Sequence, residues 1–220
     1  IFINDNGACA EGGMLGGGKE TMLETKEGYF LTYGQSWANA SNTPYREYKH
    51  WVHEGGISSP LIAHWPKGIS AGIRGKLINQ YSFLPDIMAT FIEVSGATYA
   101  MEKDGKPVPA VVGKSFLPLF NGQDTPIHTQ PVFWEHEGNK AVRLGDYKAV
   151  MKWEKGKPET WELYHISSDR TELSNLSAKE PDRLRELVSA WDEWAETHQV
   201  RPWQEMLDSL HANQMRTEKN

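Results

Sequence analysis

Alternating apolar and polar positions predict a small antiparallel sheet in the last part of the chain. The sequence between the second and third runs, Gly145-Asp146, suits a tight two-residue hairpin. The alternating runs are Pro131–Glu135, Lys140–Leu144, Tyr147–Trp153 and Trp161–His165. We therefore expect a four-stranded antiparallel sheet over this stretch.

A helical stripe of apolar residues follows the sheet. Pro181 stands at a favourable first helical position. The stripe consists of Leu184, Leu187, Val188, Trp191, Trp194 and Ala195, spaced i, i+3, i+4, i+7, i+10 and i+11. This pattern predicts an amphipathic helix over about residues 181–196. The simplest arrangement places that helix across one face of the sheet.

The first half of the chain has the pattern of an α/β layer. A short apolar strand ends at Ile3, and a second apolar run covers Leu61–Trp65. Between them, residues 7–45 are rich in Gly, Ser and Asn without periodicity, which predicts a long loop. Apolar spacing over residues 82–95 predicts a helix that begins at Ser82 as N-cap and stops at Gly96. We expect residues 1–125 to belong to a main α/β domain and residues 126–220 to form a sheet-and-helix subdomain.

Composition excludes several classes of protein. A net charge of −6 disfavours a broad nucleic-acid surface, which needs clustered Lys and Arg. No apolar run approaches the length needed to cross a bilayer, so we expect neither nucleic acid nor membrane as a partner. The chain starts inside an apolar strand at Ile1, which indicates a longer protein whose upstream part carries any export signal. Strand edges without neighbours could also pair with another copy of the chain.

Asp5 and Asn6 are the first candidate metal ligands. They follow an apolar strand, and ligands of α/β sheets bind at the carboxyl ends of strands. A carboxylate and an amide oxygen suit Ca²⁺ or Mg²⁺. Asp-Asn-Gly is equally a turn sequence, so the tripeptide alone leaves both interpretations open.

A second cluster connects this pair to a known family. Lys49 precedes Glu54-Gly55-Gly56 by four intervening residues, and Pro60 and the apolar run Leu61–Trp65 follow. Together with Asp5-Asn6-Gly7, this order resembles the sulfatases of the alkaline-phosphatase-like superfamily. The resemblance implies that Asp5 and Asn6 ligate Ca²⁺ and that Lys49 is a catalytic residue that contacts the sulfate. It also implies close backbone packing at Gly55 and Gly56, with dihedral angles that other residues resist.

Further segments extend the resemblance over roughly residues 1–200. They are Asp86–Thr90, Gly113–Pro118, Trp134–Arg143, Trp161–Tyr164 and Asp169–Leu176. The resemblance implies an α/β fold class, the C-terminal part of the sulfatase fold, ending in the four-stranded sheet and its helix. It places the hairpin of His136 beside the active-site cleft, so His136 becomes a candidate substrate-binding residue. Its alternative is an exposed polar turn between two glutamates.

The nucleophile of the family is absent from this sequence. Sulfatases oxidise a Cys or Ser to formylglycine within a Cys/Ser-x-Pro-x-Arg motif. Cys9 lacks the Pro and Arg, and Ser58-Ser59-Pro60-Leu61-Ile62 has Ile62 where Arg is required. The formylglycine is therefore expected upstream, and this chain alone is expected to be inactive. The resemblance further implies a periplasmic or secreted parent and a small-molecule or glycan sulfate ester as substrate.

Two other interpretations remain at this stage, and the residue spacing argues against a third. One is a phosphatase or phosphodiesterase of the same superfamily, and another is a non-catalytic module that binds sulfated glycans. The third is a zinc site at His50 and His53-Glu54, but these residues lack the His-Glu-x-x-His spacing and no third ligand is evident in the sequence.

Overall fold

The computed structural model describes residues 1–217 and their side chains, except the side chains of residues 29, 30 and 213–217. The chain divides into two compact units, residues 1–5 with 61–130 and residues 6–60 with 131–217. The α-helices and β-strands are β1 (Phe2–Ile3), α1 (Gly34–Asn42), α2 (Glu54–Ile57), β2 (Leu61–Ile62), α3 (Pro85–Ser95), β3 (Glu102–Lys103), β4 (Lys106–Pro107), α4 (Leu117–Phe120), β5 (Val132–His136), β6 (Asn139–Leu144), β7 (Tyr147–Met151), β8 (Trp161–His165), α5 (Pro181–Thr197) and α6 (Trp203–Thr217).

The predicted sheet and helix are confirmed. Strands β5 to β8 form one antiparallel sheet in chain order. Leu144 pairs with Tyr147 across the two-residue turn, where Gly145 has a positive φ of 58°. Helix α5 covers one face, and the core between them consists of Val142, Ala149, Leu163, Leu187, Trp191 and Ala195. Local sequence pattern alone was sufficient for this part of the fold.

The opposite face of the sheet is also covered, which the sequence pattern did not predict. Val52, from the segment before α2, packs there against Ala141, Val150 and Tyr164. Lys148 lies in the same strand as Val150 and is fully buried. Residues 6–60 therefore belong with the C-terminal sheet in one compact unit. The predicted division at residue 125 stays a prediction about the whole protein.

Helix α1 was missed within the predicted long loop. Its sequence has no apolar stripe, and its first turn is held by backbone hydrogen bonds from Gln35 to Gly13 O (2.9 Å) and from Ser36 to Met14 O (3.0 Å). Tertiary contacts therefore stabilise it where local pattern does not. No helix in the described part of the chain is long and apolar enough to span a membrane.

The other unit contains β1 to β4 with α3 and α4. Strand β1 pairs with β2 in antiparallel fashion, and Phe2 and Ile62 are 64% and 61% exposed. Both apolar side chains are therefore uncovered by any described residue of the chain. Gly96 ends α3 in the left-handed conformation, as predicted, whereas the N-cap is Leu84 and not Ser82. Asp86 explains this start, since its carboxylate accepts the Phe83 N–H at 2.9 Å.

Candidate functional site

The segment after Asn6 lies directly beside the segment that carries Lys49. The backbone N–H of Gly7 donates to Gly56 O at 2.8 Å, and that of Lys49 donates to Ala8 O at 3.0 Å. Two stretches that are distant in sequence are thereby fixed side by side. Asn6 and Lys49, chosen from motif resemblance, are brought onto adjoining backbone segments.

Asn42, the last residue of α1, holds these segments together. Its Oδ1 accepts the Ala8 N–H at 3.1 Å, while its Nδ2 donates to Glu47 O at 3.0 Å and to Gly55 O at 2.8 Å. One amide side chain therefore bonds to the backbone on both sides of Lys49, at Glu47 and Gly55, and to the segment after β1, at Ala8. The sequence analysis missed Asn42, because no local sequence pattern indicates that an asparagine at a helix end forms these tertiary hydrogen bonds.

Gly55 and Gly56 are needed for space and not for unusual dihedral angles. A Cβ on Gly55 would lie 2.2 Å from Glu47 O, and one on Gly56 would lie 1.8 Å from Trp51 O. Neither glycine has a positive φ. The predicted close backbone packing is confirmed, while the predicted dihedral requirement is wrong. The strained residues are neighbours of Lys49, since Glu47 has a φ of 62° and His50 a φ of 96°.

The predicted site side chains are available to a ligand. Lys49 is 43% exposed, and its ammonium lies 3.7 Å from the carboxylate of Glu11, which is itself 72% exposed. Such a pair is weak in water. Asp5 is exposed and Asn6 half-buried, and neither side chain forms a hydrogen bond or an ion pair with a described residue.

A buried ion triad anchors the Lys49 segment to the sheet. Lys148 lies 3.0 Å from Glu54 Oε1 and 2.9 Å from Glu172 Oε1, and all three side chains are at most 4% exposed. Glu172 Oε2 also accepts the backbone N–H of Glu54 at 2.8 Å. Burial alone would raise the pKa of Glu54, but Lys148, together with Arg143 and Arg170, outweighs it and lowers that pKa. The sequence singled out Glu54 as part of Glu-Gly-Gly and beside His53, but not as a partner of Lys148.

A second polar cluster lies beside the triad. Glu162 Oε2 is 3.3 Å from His53 Nε2, accepts the Tyr164 hydroxyl at 3.0 Å and is 3.4 Å from Arg46 Nη1. The hydrogen bond with His53 is the largest cause that lowers the pKa of Glu162 from 4.5 to about 2; burial opposes it, and Arg46 and Tyr164 lower it further. His53 is 1% exposed, so it is part of this internal cluster.

His136 lies at the exposed tip of the β5–β6 hairpin, close to His50. Their ring centroids are 5.3 Å apart, and His50 Nδ1 is 3.3 Å from Glu137 Oε2. His50, His136 and Glu137 each offer a ligand atom, all within 4.8 Å of one another. The structure therefore places two further ligand groups beside His50, those of His136 and Glu137, which the sequence did not reveal. His53 instead contacts Glu162.

Comparison with known proteins identifies the family. The family model described as N-sulphoglucosamine sulphohydrolase, C-terminal, matches residues 47–198. That range includes Lys49, His136 and the complete four-stranded sheet. The chain belongs to this sulfatase family.

Curated relatives of this sulfatase chain are longer than the chain itself. It is 34% identical over 208 residues to an uncharacterized sulfatase of Schizosaccharomyces pombe, which covers 87% of this chain and 36% of the yeast protein. It is 29% identical over 141 residues to N-acetylgalactosamine-6-sulfatase of Mus musculus, which covers 62% of this chain and 24% of the mouse enzyme. The chain thus spans about a third or less of the length of these relatives.

A solved structure confirms the predicted fold class of the sulfatase chain. The crystal structure of Ps i-CgsB superposes with a TM-score of 0.58 at 25% identity, over 74% of this chain and 34% of that one. The same protein has been solved in complex with k-i-k-neocarrahexaose. The chain therefore has the C-terminal part of the alkaline-phosphatase-like sulfatase fold.

The pKa of Glu162 predicts how stability changes in acid. Because this pKa is lowered on folding, ionised Glu162 stabilises the folded state fully above about pH 4.5, and that contribution is lost as the pH falls toward 2. We expect Glu162→Gln to flatten the dependence of the free energy of unfolding on pH between those values. Urea denaturation at several pH values measures it, with Glu193→Gln, at an exposed position of α5, as the control. An unchanged slope in Glu162→Gln would contradict the expectation.

Proposed function

We propose that this chain is the C-terminal portion of a sulfuric ester hydrolase that uses Ca²⁺ and a formylglycine carried upstream. The observation that carries the proposal is the fixing of Lys49, by its own backbone N–H and by Asn42, beside the segment that follows Asn6. The family match supports the reaction class. The exposed apolar residues Phe2 and Ile62 are consistent with packing against further chain.

Lys49 would stabilise the negative charge that develops on the sulfate oxygens. Its backbone is held on both sides while its ammonium stays free of any strong partner. A positioned charge of this kind lowers the barrier because it does not have to reorganise during the reaction. A strongly paired lysine could not serve, since the substrate would have to displace its partner.

Asp5 and Asn6 would hold the calcium ion. Their free carboxylate and amide oxygens match the hard oxygen donors that Ca²⁺ prefers, and two donors make part of a shell of about six to eight. When bound, the ion would supply positive charge near the sulfate oxygens. The remaining ligands would come from residues upstream.

Calcium affinity tests the role of Asp5. In the full-length protein we expect Asp5→Ala to weaken Ca²⁺ binding by tenfold or more, in the way that loss of one charged ligand weakens a calcium site, and Asn6→Ala to weaken it less. Calorimetric titration measures both. Asp104→Ala, at an exposed position in the same chain, is the control. Wild-type affinity in Asp5→Ala would remove Asp5 from the site.

Turnover tests the function itself. We expect the full-length protein to release sulfate from 4-nitrophenyl sulfate or from a sulfated monosaccharide, and the 220-residue chain alone to release none, because it lacks the nucleophile motif. Release of sulfate by the purified chain would refute the proposal that the nucleophile lies upstream of this chain. Hydrolysis of phosphate esters with no sulfatase activity would instead favour a phosphatase of the same superfamily.

A glycan sulfate is the substrate class that the relatives favour. One relative is named for a sulfated amino sugar, and the structural neighbour was solved with a hexaose. Lys49 before Glu54-Gly55-Gly56 argues for sulfate over phosphate by family resemblance. A net charge of −6 disfavours a module that binds sulfated glycans by charge alone, since such binding needs a basic surface.

A further inference from the structure

The side chain of Asn139 has only one orientation that satisfies its neighbours. Asn139 is 1% exposed, and its Oδ1 accepts the Trp153 N–H at 3.1 Å. Its Nδ2 donates to His136 O at 3.0 Å. A flipped amide would set its NH₂ against the Trp153 N–H and its oxygen against His136 O. The NH₂ group is therefore fixed on the side of the hairpin tip.

This orientation determines which nitrogen of His50 carries the proton. Asn139 Nδ2 lies 3.3 Å from His50 Nε2, and an amide nitrogen can only donate, so Nε2 must accept. The proton of neutral His50 then sits on Nδ1, which is 3.3 Å from Glu137 Oε2. Burial lowers the pKa of His50, which keeps the ring neutral. One carboxylate oxygen of Glu137 thereby lies beside the ring, and the side chain remains 44% exposed.

The same arrangement disfavours a transition metal at these three side chains. A metal on His50 Nδ1 would require the proton on Nε2, where it would face the NH₂ group of Asn139. The cluster is instead suited to accept hydrogen bonds from a ligand, since an ionised carboxylate has about four acceptor positions and His50 occupies the side of one oxygen.

The backbone at this place is strained at His50. His50 has a φ of 96°, in the region that non-glycine residues avoid, whereas the positive φ of Glu137 (50°) and Gly138 (83°) is what their two-residue hairpin turn requires. Such strain persists where the surrounding structure fixes a residue for a ligand or a reaction. Here Asn139 fixes the hairpin tip, and His50 directly follows Lys49, so the two Cα atoms are about 3.8 Å apart.

We propose that Glu137, placed beside His50 and flanked by exposed His136, forms a subsite that binds the hydroxyl groups of a sugar ring whose sulfate is held at Lys49. This subsite rests on the proposed sulfatase function and names its substrate class. A carboxylate repels a second anionic group and gains charge-assisted hydrogen bonds from hydroxyl groups. It therefore selects sulfated sugars over aryl sulfates, which offer no hydroxyl donors.

Comparison of a sugar sulfate with an aryl sulfate distinguishes sugar binding at this subsite from hydrolysis of the sulfate ester. In the full-length protein we expect Glu137→Gln to lower kcat/KM for N-acetylglucosamine 6-sulfate by about ten- to a hundredfold, the scale of a lost hydrogen bond to a charged group. The value for 4-nitrophenyl sulfate should stay within about twofold, because no contact to that substrate is lost. Glu154→Gln, an exposed glutamate in the same unit, should change neither.

Other outcomes overturn the subsite. An equal loss of kcat/KM on both substrates in Glu137→Gln would mean that Glu137 takes part in the reaction or in folding. An unchanged kcat/KM on both would mean that no sugar hydroxyl reaches Glu137. If the unmodified protein hydrolyses neither ester, the proposed function fails, and binding decides the subsite independently. Saturation-transfer NMR with the same sulfated sugar should then show ring-proton signals that Glu137→Gln abolishes; signals that persist refute it. Micromolar Zn²⁺ binding that Glu137→Gln removes would assign the cluster to a metal.

Discussion

Lys49→Ala in the full-length protein is expected to lower kcat/KM for sulfate esters by about a hundredfold or more, the loss seen when one preorganised donor to a developing oxyanion is removed. The backbone of Lys49 is already fixed by its bond to Ala8 O, so the substitution removes the ammonium without releasing the loop. The loss should fall mainly on kcat, because the charge of the sulfate oxygens grows in the transition state. Steady-state kinetics with 4-nitrophenyl sulfate measures both parameters.

A matched lysine distinguishes this effect from a general change in charge. Lys157 is 65% exposed and pairs with Glu154 on the surface, so Lys157→Ala should leave kcat/KM unchanged. Lys49→Arg keeps the positive charge in a different shape and should recover only part of the activity. If Lys49→Ala retains nearly full kcat/KM, Lys49 is a surface residue and the proposed site is wrong.

Lys148→Met is expected to lower the free energy of unfolding by about 3–5 kcal/mol. The substitution leaves the buried carboxylate of Glu172 without its ion-pair partner and that of Glu54 with Arg170 alone, at 3.7 Å, while the methionine fills much of the same volume. Burial of an unpaired charge is far more costly than loss of a surface pair. Urea denaturation at pH 7 measures the change.

The control for the buried triad is again on the surface. Lys157→Met removes one partner of an exposed i, i+3 pair and should cost less than about 1 kcal/mol. A similarly small cost for Lys148→Met would show that the two glutamates take up protons or water without penalty. The interpretation of the triad as the anchor of the Lys49 segment would then fail.

The part of the fold that the sequence predicted depends on contacts that are short in sequence. The β6–β7 hairpin follows from Gly145 and the two runs that flank it, and α5 follows from its own apolar stripe. The second face of the sheet depends on Val52 meeting Val150, and no local periodicity encodes that meeting. The buried Lys148 looked like an ordinary polar position of an alternating strand.

The candidate site was predicted where residue type and spacing carry the chemistry. Lys49, Asp5 and Asn6 were predicted as site residues because their order along the chain resembles a family pattern, and these roles stay predictions. Asn42 and Asn139 could not be found in this way, since each acts through backbone groups that only the folded chain brings within reach. Their roles depend on the direction of an amide, which the sequence does not encode.

The order of synthesis sets when the Lys49 segment can be completed. Glu172, which bonds the Glu54 N–H and Lys148, leaves the ribosome 118 residues after Glu54. At the usual elongation rates of about 5–20 residues per second, Glu172 is synthesised roughly 6–24 s after Glu54. Until β8 has been made, Val52 lacks the complete sheet that covers it. A nascent chain therefore exposes this stretch to chaperones, and translation that stops before Glu172 yields a polypeptide in which the Glu54 N–H lacks its bond to Glu172 and the Lys49 segment lacks this anchor to the sheet.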